Sequence, residues 1–349
     1  MPTELNSLTP DAQERRSLEV QLAGLRGKLA ESESRVRHWH GEFEASERRF
    51  LDLAAVKEAV TLRPIITPSK GAPDCGVAVA VWSDWHVAEV VDRSKVRGLN
   101  AYNPEIARKR AVKCAQSTRK LWRHVTQSYK CDSMLLFLGG DFITGYLHEE
   151  LAHTNAMAPV EETRFAKQLL IECLDHLVEE KSLKHLRIVC TRGNHGRSTK
   201  KMQYKNDYET SFESWIYWDL AAHYEGSLRV DFEYPKGDVH VTEAIAKQYK
   251  IRCFHGHQIK YSDGIGGLTI PLNKWEAKQD ATEKADFNLM GHYHMYSLPN
   301  SRTILCGSLK GYDEYAASHG FPFQAPLQAF SLLDVKRRIM SQHMPIFCD

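Results

Sequence analysis

Apolar positions along the chain repeat with two different periods, and the change falls near residue 62. From Leu18 they step by four and three: Leu18, Leu22, Leu25, Leu29, Ser32, Val36, Trp39, Phe43, Ser46, Phe50 and Leu53. This is the spacing of a heptad seam, with Glu, Arg and Lys on the outward positions and serine interrupting it twice. No proline lies between Pro10 and Pro64, so one helix is predicted over about 11–60. Such a seam either packs on its own globular domain or forms an intermolecular coiled coil. So long a regular seam ahead of a linker favours the second, which makes the protein a homo-oligomer. Residues 62–74 hold three prolines and a glycine and read as that linker. The expected organisation is therefore an N-terminal helix over 1–61, a linker over 62–74 and a globular domain over 75–349.

Beyond the linker, short apolar runs alternate with amphipathic stretches. Strands are predicted at 76–83, 134–139, 186–191, 228–234, 251–255, 287–290, 303–306 and 327–335. Helices are predicted at 103–129, 160–180 and 207–224. The first helix has Ala107, Ala111, Cys114, Thr118, Leu121 and Val125 on one face. Alternation of strand and helix argues an α/β layer arrangement. The strand-rich second half argues a two-sheet β-sandwich flanked by helices rather than a Rossmann fold. No G-x-G-x-x-G opens a helix and no G-x-x-x-x-G-K-[ST] occurs, so the common nucleotide-loop readings fail.

Composition narrows the picture further. Lys+Arg 46 against Asp+Glu 44 gives a formal charge of +2, which excludes a strong whole-molecule field. The first residues are polar and charged, and no apolar run has the length of a signal peptide or a membrane span. Eight scattered cysteines without a C-x-x-C pair fit free thiols in a reducing compartment, so the expected location is cytoplasmic, without membrane attachment. Seventeen histidines are the compositional oddity, and they point to metal or acid–base chemistry.

Their positions are more informative than their number. Polar clusters follow five predicted strands: Ser83-Asp84-Trp85-His86, Gly139-Gly140-Asp141, Arg192-Gly193-Asn194-His195, His255-Gly256-His257 and Gly291-His292-Tyr293-His294. Carboxyl ends of strands are where α/β sheets bind ligands. In extended backbone, residues two apart share a face, which pairs Asp84 with His86 and His292 with His294. A single D-x-H or H-x-H carries little weight, because a lone strand-end histidine is more often just hydrogen-bonded. Five such clusters in one chain are not coincidence.

The ordered series D-x-H, G-D, G-N-H, H-G-H, G-H-x-H resembles the calcineurin-like metallophosphoesterase superfamily, from about Val77 to the C-terminus. The resemblance implies one metal ion on Asp84, His86 and His294, a second on Asn194, His255 and His292, and Asp141 bridging both. It implies that His195 is a non-ligand histidine that protonates the leaving oxygen or steadies the phosphate. His257 rivals His255, since both flank Gly256; the family pattern places the ligand first. Carboxylate, imidazole and amide donors suit two divalent ions, with Mn²⁺ the first choice and Fe²⁺, Zn²⁺ or Mg²⁺ the others. Two such ions can share a hydroxide that attacks a phosphate ester. Two positions depart from the common family pattern: Thr144 and Gly196 stand where many members carry an acidic residue.

The near-neutral total hides two basic runs. Residues 106–131 hold eight basic residues and no acidic one; residues 192–205 hold Arg192, Arg197, Lys200, Lys201 and Lys205 and no acidic one. The first run also fits a solvated helix face. The second includes the G-N-H motif and so sits at the rim of the expected site, with aromatics following it from Tyr204 to Trp218. Basic residues and aromatics around two metals suit a phosphodiester polymer. The first reading is a nuclease or phosphodiesterase acting on DNA or RNA, with Arg192, Arg197, Lys200, Lys201 and the downstream His148 as substrate contacts. The core also resembles phage and bacterial phosphoesterases grouped with DNA-repair exonucleases, for which a partner ATPase is usual. The alternatives are a phosphomonoesterase or cyclic-nucleotide phosphodiesterase, and an inactive scaffold acting through its coiled coil.

Overall fold

The computed structural model describes residues 75–349 except 245–248 and 262–266, together with residues 15, 18–19, 22–30 and 33–34. The chain divides into two units, Met1–Leu62 and Arg63–Asp349. In the first, the described residues are helical, and Leu18, Leu22, Leu25 and Leu29 of the seam are exposed. The other seam positions, from Ser32 to Leu53, and the linker 62–74 lie outside the described residues. Among the described residues, no helix is long and apolar enough to cross a membrane.

The second unit holds two sheets. Strands β1 (Gly76–Trp82), β2 (Ser133–Leu138), β3 (His185–Cys190) and β4 (Val230–Glu233) run parallel. Antiparallel β10 (Leu327–Asp334) and β11 (Ile339–Phe347) extend that sheet on the β1 side, giving the order β11-β10-β1-β2-β3-β4. The second sheet has the order β5-β6-β7-β9-β8: Val239–Ala244, Tyr249–Phe254, Phe287–Met290, Thr303–Leu305 and Ser297–Asn300.

Strand alternation decides the layers. Ala78, Ala80 and Trp82 of β1 face a core shared with helices α1 (Pro104–Val125), α3 (Pro159–Val178) and α5 (Phe212–His223). Val77, Val79 and Val81 face the other way, where they meet Ile251, Cys253, Leu289 and Ile304 of the second sheet. Phe254, Met290 and Leu305 cover the outer side of that sheet with Leu272 of α6 (Thr269–Thr282). The result is the expected two-sheet sandwich flanked by helices. Because β1, β2 and β3 are parallel, the loops after them emerge along one edge.

Helix α1 starts where the sequence indicates. Asn103 caps it by accepting from the Ile106 amide at 2.9 Å, and Pro104 fills the first turn. Its buried face includes Trp122, with Leu121 only partly covered. The helix predicted over 207–224 is broken in two, α4 (Asp207–Thr210) and α5, at Ser211, whose backbone is extended at φ −100°, ψ 130°. The cause is local pairing: the Ser198 amide donates to Thr210 O, and the Phe212 amide to Gly196 O at 2.7 Å. Edge strands β5, β8 and β11, the helix α6 and the short helices α2 (Leu151–Thr154) and α7 (Glu314–Ser318) are additions to the sequence reading. β8 and β11 each carry a proline, which edge positions tolerate.

Candidate metal centre

Seven side chains from five strand-end loops converge. Asp84 and His86 follow β1, Asp141 follows β2, Asn194 follows β3, His255 follows β6, and His292 and His294 follow β7. Asp84, His86 and His294 form one set and Asp141, His255 and His292 another; within each set the donor atoms lie within 4.8 Å of one another. His86 Nε2 is 3.2 Å from His294 Nε2, and His294 Nε2 is 3.4 Å from Asp84 Oδ1. His255 Nε2 lies 2.9 Å from Asp141 Oδ2, 3.1 Å from Asn194 Oδ1 and 3.2 Å from His292 Nδ1. Asn194 thus joins the second set through His255. His257 lies outside both sets, its ring centroid 5.6 Å from that of His255.

The backbone is bent to make this possible. Asp84, His86, Asp141, His292 and His294 all have φ between 47° and 72°, in the left-handed region that L residues avoid. Such conformations persist only when the surroundings hold them, and they cluster at functional sites. The Asp84 amide donates to Gly140 O at 2.9 Å and the His86 amide to Asp141 O at 3.1 Å, locking the first loop onto the second. Gln328 accepts from the Ser83 amide at 2.7 Å and donates to Ser83 O at 3.0 Å. Gly140 and Gly193 pack backbone to backbone: a Cβ on Gly140 would lie 2.2 Å from Gly193 N, and one on Gly193 2.0 Å from Asp141 Oδ1.

Burial and neighbouring charge set the electrostatics. Burial holds the His86 imidazole well below its usual range, with the Lys310 ammonium adding to it, and burial with His255 does the same to His292. Both are therefore held as neutral rings with lone pairs to give. Burial alone would raise Asp141, yet His255 and His195 beside it hold its carboxyl well below the ordinary carboxylate range. Burial alone would lower His255, but Asp141 lifts it to about 10. Asp141 acts on His86 of the first set as well as on His255 and His292 of the second. The residues fit divalent ions: two carboxylates and four imidazoles converge in two sets, and His86 Nδ1 is buried without a hydrogen-bond partner.

His195 stands beside the first set, its ring centroid 4.7 Å from that of His86. Its amide donates to Asp141 Oδ1 at 2.8 Å, and its Nδ1 lies 2.8 Å from Thr144 O, which fixes a proton on Nδ1 and leaves Nε2 for other partners. His148 is exposed, with its ring 5.9 Å from that of His195.

The rim differs in part from its sequence reading. Arg192 is 1% exposed, and its guanidinium is bound by Asp207 at 2.7 Å and Asp238 at 2.8 Å above the stacked rings of Tyr208 and Tyr234. It is a buried brace and not a substrate contact. Arg197 is half-buried, donating to Thr199 O and Asn194 O. Lys200, Lys201 and Tyr204 are exposed. In the α1 run, Arg108, Lys109, Arg119 and Arg123 pair with Glu172, Glu105 and Glu180, so that helix is a solvated, charge-paired face.

Two buried glutamates escape sequence reasoning. Glu162 accepts from the amides of Ala88 (3.1 Å), Thr144 (2.5 Å) and Gly145 (3.1 Å). Glu213 accepts from Phe142 and Gly193, both at 2.7 Å. Burial pushes Glu162 up to about 7 and Glu213 up to about 8. The signal for Glu213 was a charge inside the apolar run Phe212–Tyr217, two residues after a capping serine.

Two solved structures overlap with this fold. One is a candidate 5′-nucleotidase from Staphylococcus aureus in complex with α-ketoglutarate, at 12% identity and a TM-score of 0.32 over 78% of this chain. The other is the sulfate thiohydrolase SoxB from Thermus thermophilus in complex with glycerol, at 9% identity and a TM-score of 0.31 over 81%. This chain spans 55% and 58% of their lengths, and overlap at that level carries no argument on substrate. No curated protein sequence matches significantly. Residues 77–325 match the family profile of calcineurin-like phosphoesterases, which takes in all seven converging side chains and His195. The chain belongs to the calcineurin-like phosphoesterase family.

Proposed function

We propose that the protein is a two-metal phosphodiesterase acting on nucleic acid. The observation that carries this reading is the convergence of two Asp/His donor sets with His195 poised beside them. Asp84, His86 and His294 are assigned to one ion, and Asn194, His255 and His292 to the other. Asp141, which acts electrostatically on histidines of both sets, is assigned the bridge. When bound, a divalent pair supplies positive charge that polarises the phosphoryl group and makes water nucleophilic near neutral pH.

The chain's own residues do the rest. His195, anchored through Nδ1 to Thr144 O, presents Nε2, which delivers a proton to the departing oxygen when the ring is the imidazolium; burial opposes that charge and Asp141 beside the ring supports it. Neutral His86 and His292 keep their lone pairs available as ligands. His148, exposed with its ring 5.9 Å from that of His195, is assigned a contact with the substrate phosphate. The exposed Lys200 and Lys201, with Arg197 and Tyr204 on the same loop, support a polyanionic substrate.

The test is a panel of single- and double-stranded DNA, RNA, bis-p-nitrophenyl phosphate and a chromogenic monoester, with Mn²⁺, Mg²⁺, Zn²⁺ and Fe²⁺ varied and Asp141→Ala as blank. Cleavage of nucleic acid that the blank lacks is expected. Replacing Lys200 and Lys201 by Glu should weaken polymer cleavage far more than bis-p-nitrophenyl phosphate cleavage. Intact nucleic acid with a hydrolysed monoester would overturn the polymer reading.

A further inference from the structure

The loops after β2 and β3 bring Asp141 and Asn194 together. Gly140 and Gly193 meet backbone to backbone, and His195 ties the loops at the surface of the site, its amide on Asp141 Oδ1 and its Nδ1 on Thr144 O. Behind them, one buried carboxyl group spans both loops. Glu213 is fully buried; its Oε1 accepts from the amide of Phe142, next to Asp141, and its Oε2 from the amide of Gly193, next to Asn194, each at 2.7 Å. The two oxygens of a carboxyl group are a fixed distance apart, so both bonds together constrain the separation of the two loops on their buried side.

The chain is shaped around this group. Ser211 breaks the helix just ahead of Glu213 and caps its amide, which turns the side chain inward. Gly196 leaves room for it: a Cβ there would lie 2.7 Å from Glu213 Cγ and 3.1 Å from Cδ. The glycine at the departing position of the G-N-H-G motif is thus explained by the glutamate that packs against it.

We propose that Glu213 is a positioning residue that sets the distance between Asp141 and Asn194 and through it the affinity for metal. The inference rests on the reading of those two residues as ligands. Glu162 provides the internal comparison. It is equally buried and also binds backbone amides, those of Ala88, Thr144 and Gly145, but none next to Asp141 or Asn194; through the last two it braces the carbonyl that anchors His195. Glu213 should act on metal binding, and Glu162 on the rate.

The experiment titrates the metal-free full chain with Mn²⁺ by calorimetry, comparing native, Glu213→Gln, Glu162→Gln and Asp141→Ala proteins, with thermal melts alongside. Glu213→Gln should weaken Mn²⁺ binding by about 10–100-fold, and raised Mn²⁺ should restore its activity. Glu162→Gln should keep affinity within about 3-fold and show a lowered kcat that Mn²⁺ does not rescue. Native affinity in Glu213→Gln, or equal loss in both variants, overturns the proposal. If Glu213→Gln does not fold, Gly196→Ala, which presses on Glu213 Cγ without removing an acceptor, takes its place; native affinity there overturns it likewise. Native affinity in Asp141→Ala would instead remove the ligand assignment itself.

Discussion

Helix α1 and the loops after β1, β2 and β3 both bring charged residues against the same sheet, but they treat them differently. On α1 the buried face is apolar, from Ala107 to Trp122, while Arg108, Arg119 and Arg123 meet their acidic partners at its margin. In the loops the buried polar residues include Ser83, Asp84, His86, Asp141, Thr144 and Asn194, and the buried carboxyl groups of Glu162 and Glu213 accept from backbone amides there. Burying charge without a partner is costly, so each region satisfies it by its own means. The helix keeps its charges at its margin and pairs those that are covered, as Arg119 with Glu180. The loops bury it with ligand-grade neighbours and hold the backbone in left-handed conformations to do so. Substitutions in the loops should therefore cost function first, and substitutions under the helix stability first.

The largest effect that would break this contrast is at His195. His195→Ala should lower the rate by about 10²–10⁴-fold with Mn²⁺ binding retained, as steady-state kinetics and metal titration would show. Loss of metal instead would make it a ligand. Next, Trp122→Ala under α1 should destabilise the fold by about 3–5 kcal/mol in denaturant unfolding and leave kcat of the folded fraction unchanged. A fall in kcat at full folding would couple the helix layer to the site.

The smallest effect is at Glu180, which accepts from Arg119 at 3.0 Å and from Arg123 at 2.6 Å. Burial alone would raise its carboxyl, but Ser182 and the two arginines bring it down to about 2. A folded-state value below the unfolded one stabilises above the unfolded value near 4.5, and the gain is lost as pH falls toward 2. Glu180→Gln should therefore cost about 1–2 kcal/mol at pH 7, and its melting temperature should approach that of the native protein only as pH falls to about 2. A constant gap across that range would assign the loss to packing.

The converging side chains of the candidate metal centre were legible because they follow apolar strands, where a polar run of D-x-H or G-H-x-H has no other place in the pattern. The sandwich was legible because β1 and β2 are buried along their length and read as nearly continuous apolar runs. What was hidden lies at a distance in sequence. Glu162 reads as an ordinary acidic residue in a helix's first turn, and Glu213 as a charge on an amphipathic helix. Their work is done on amides that no side-chain pattern records. Arg192 misled for the converse reason: its partners Asp207 and Asp238 arrive from segments 15 and 46 residues away, so a buried brace read as an exposed rim. The break at Ser211 comes from pairing with residues 196–198, which helix propensity does not register.

The most direct test of the central claim is metal stoichiometry. The metal-free chain should bind two Mn²⁺ per molecule in calorimetry, with hydrolysis of bis-p-nitrophenyl phosphate appearing only when both are bound. His86→Ala and His292→Ala, one from each set, should each lower the stoichiometry and abolish turnover. One ion or none on the native chain, or turnover that survives in both variants, would contradict a two-metal site at these residues.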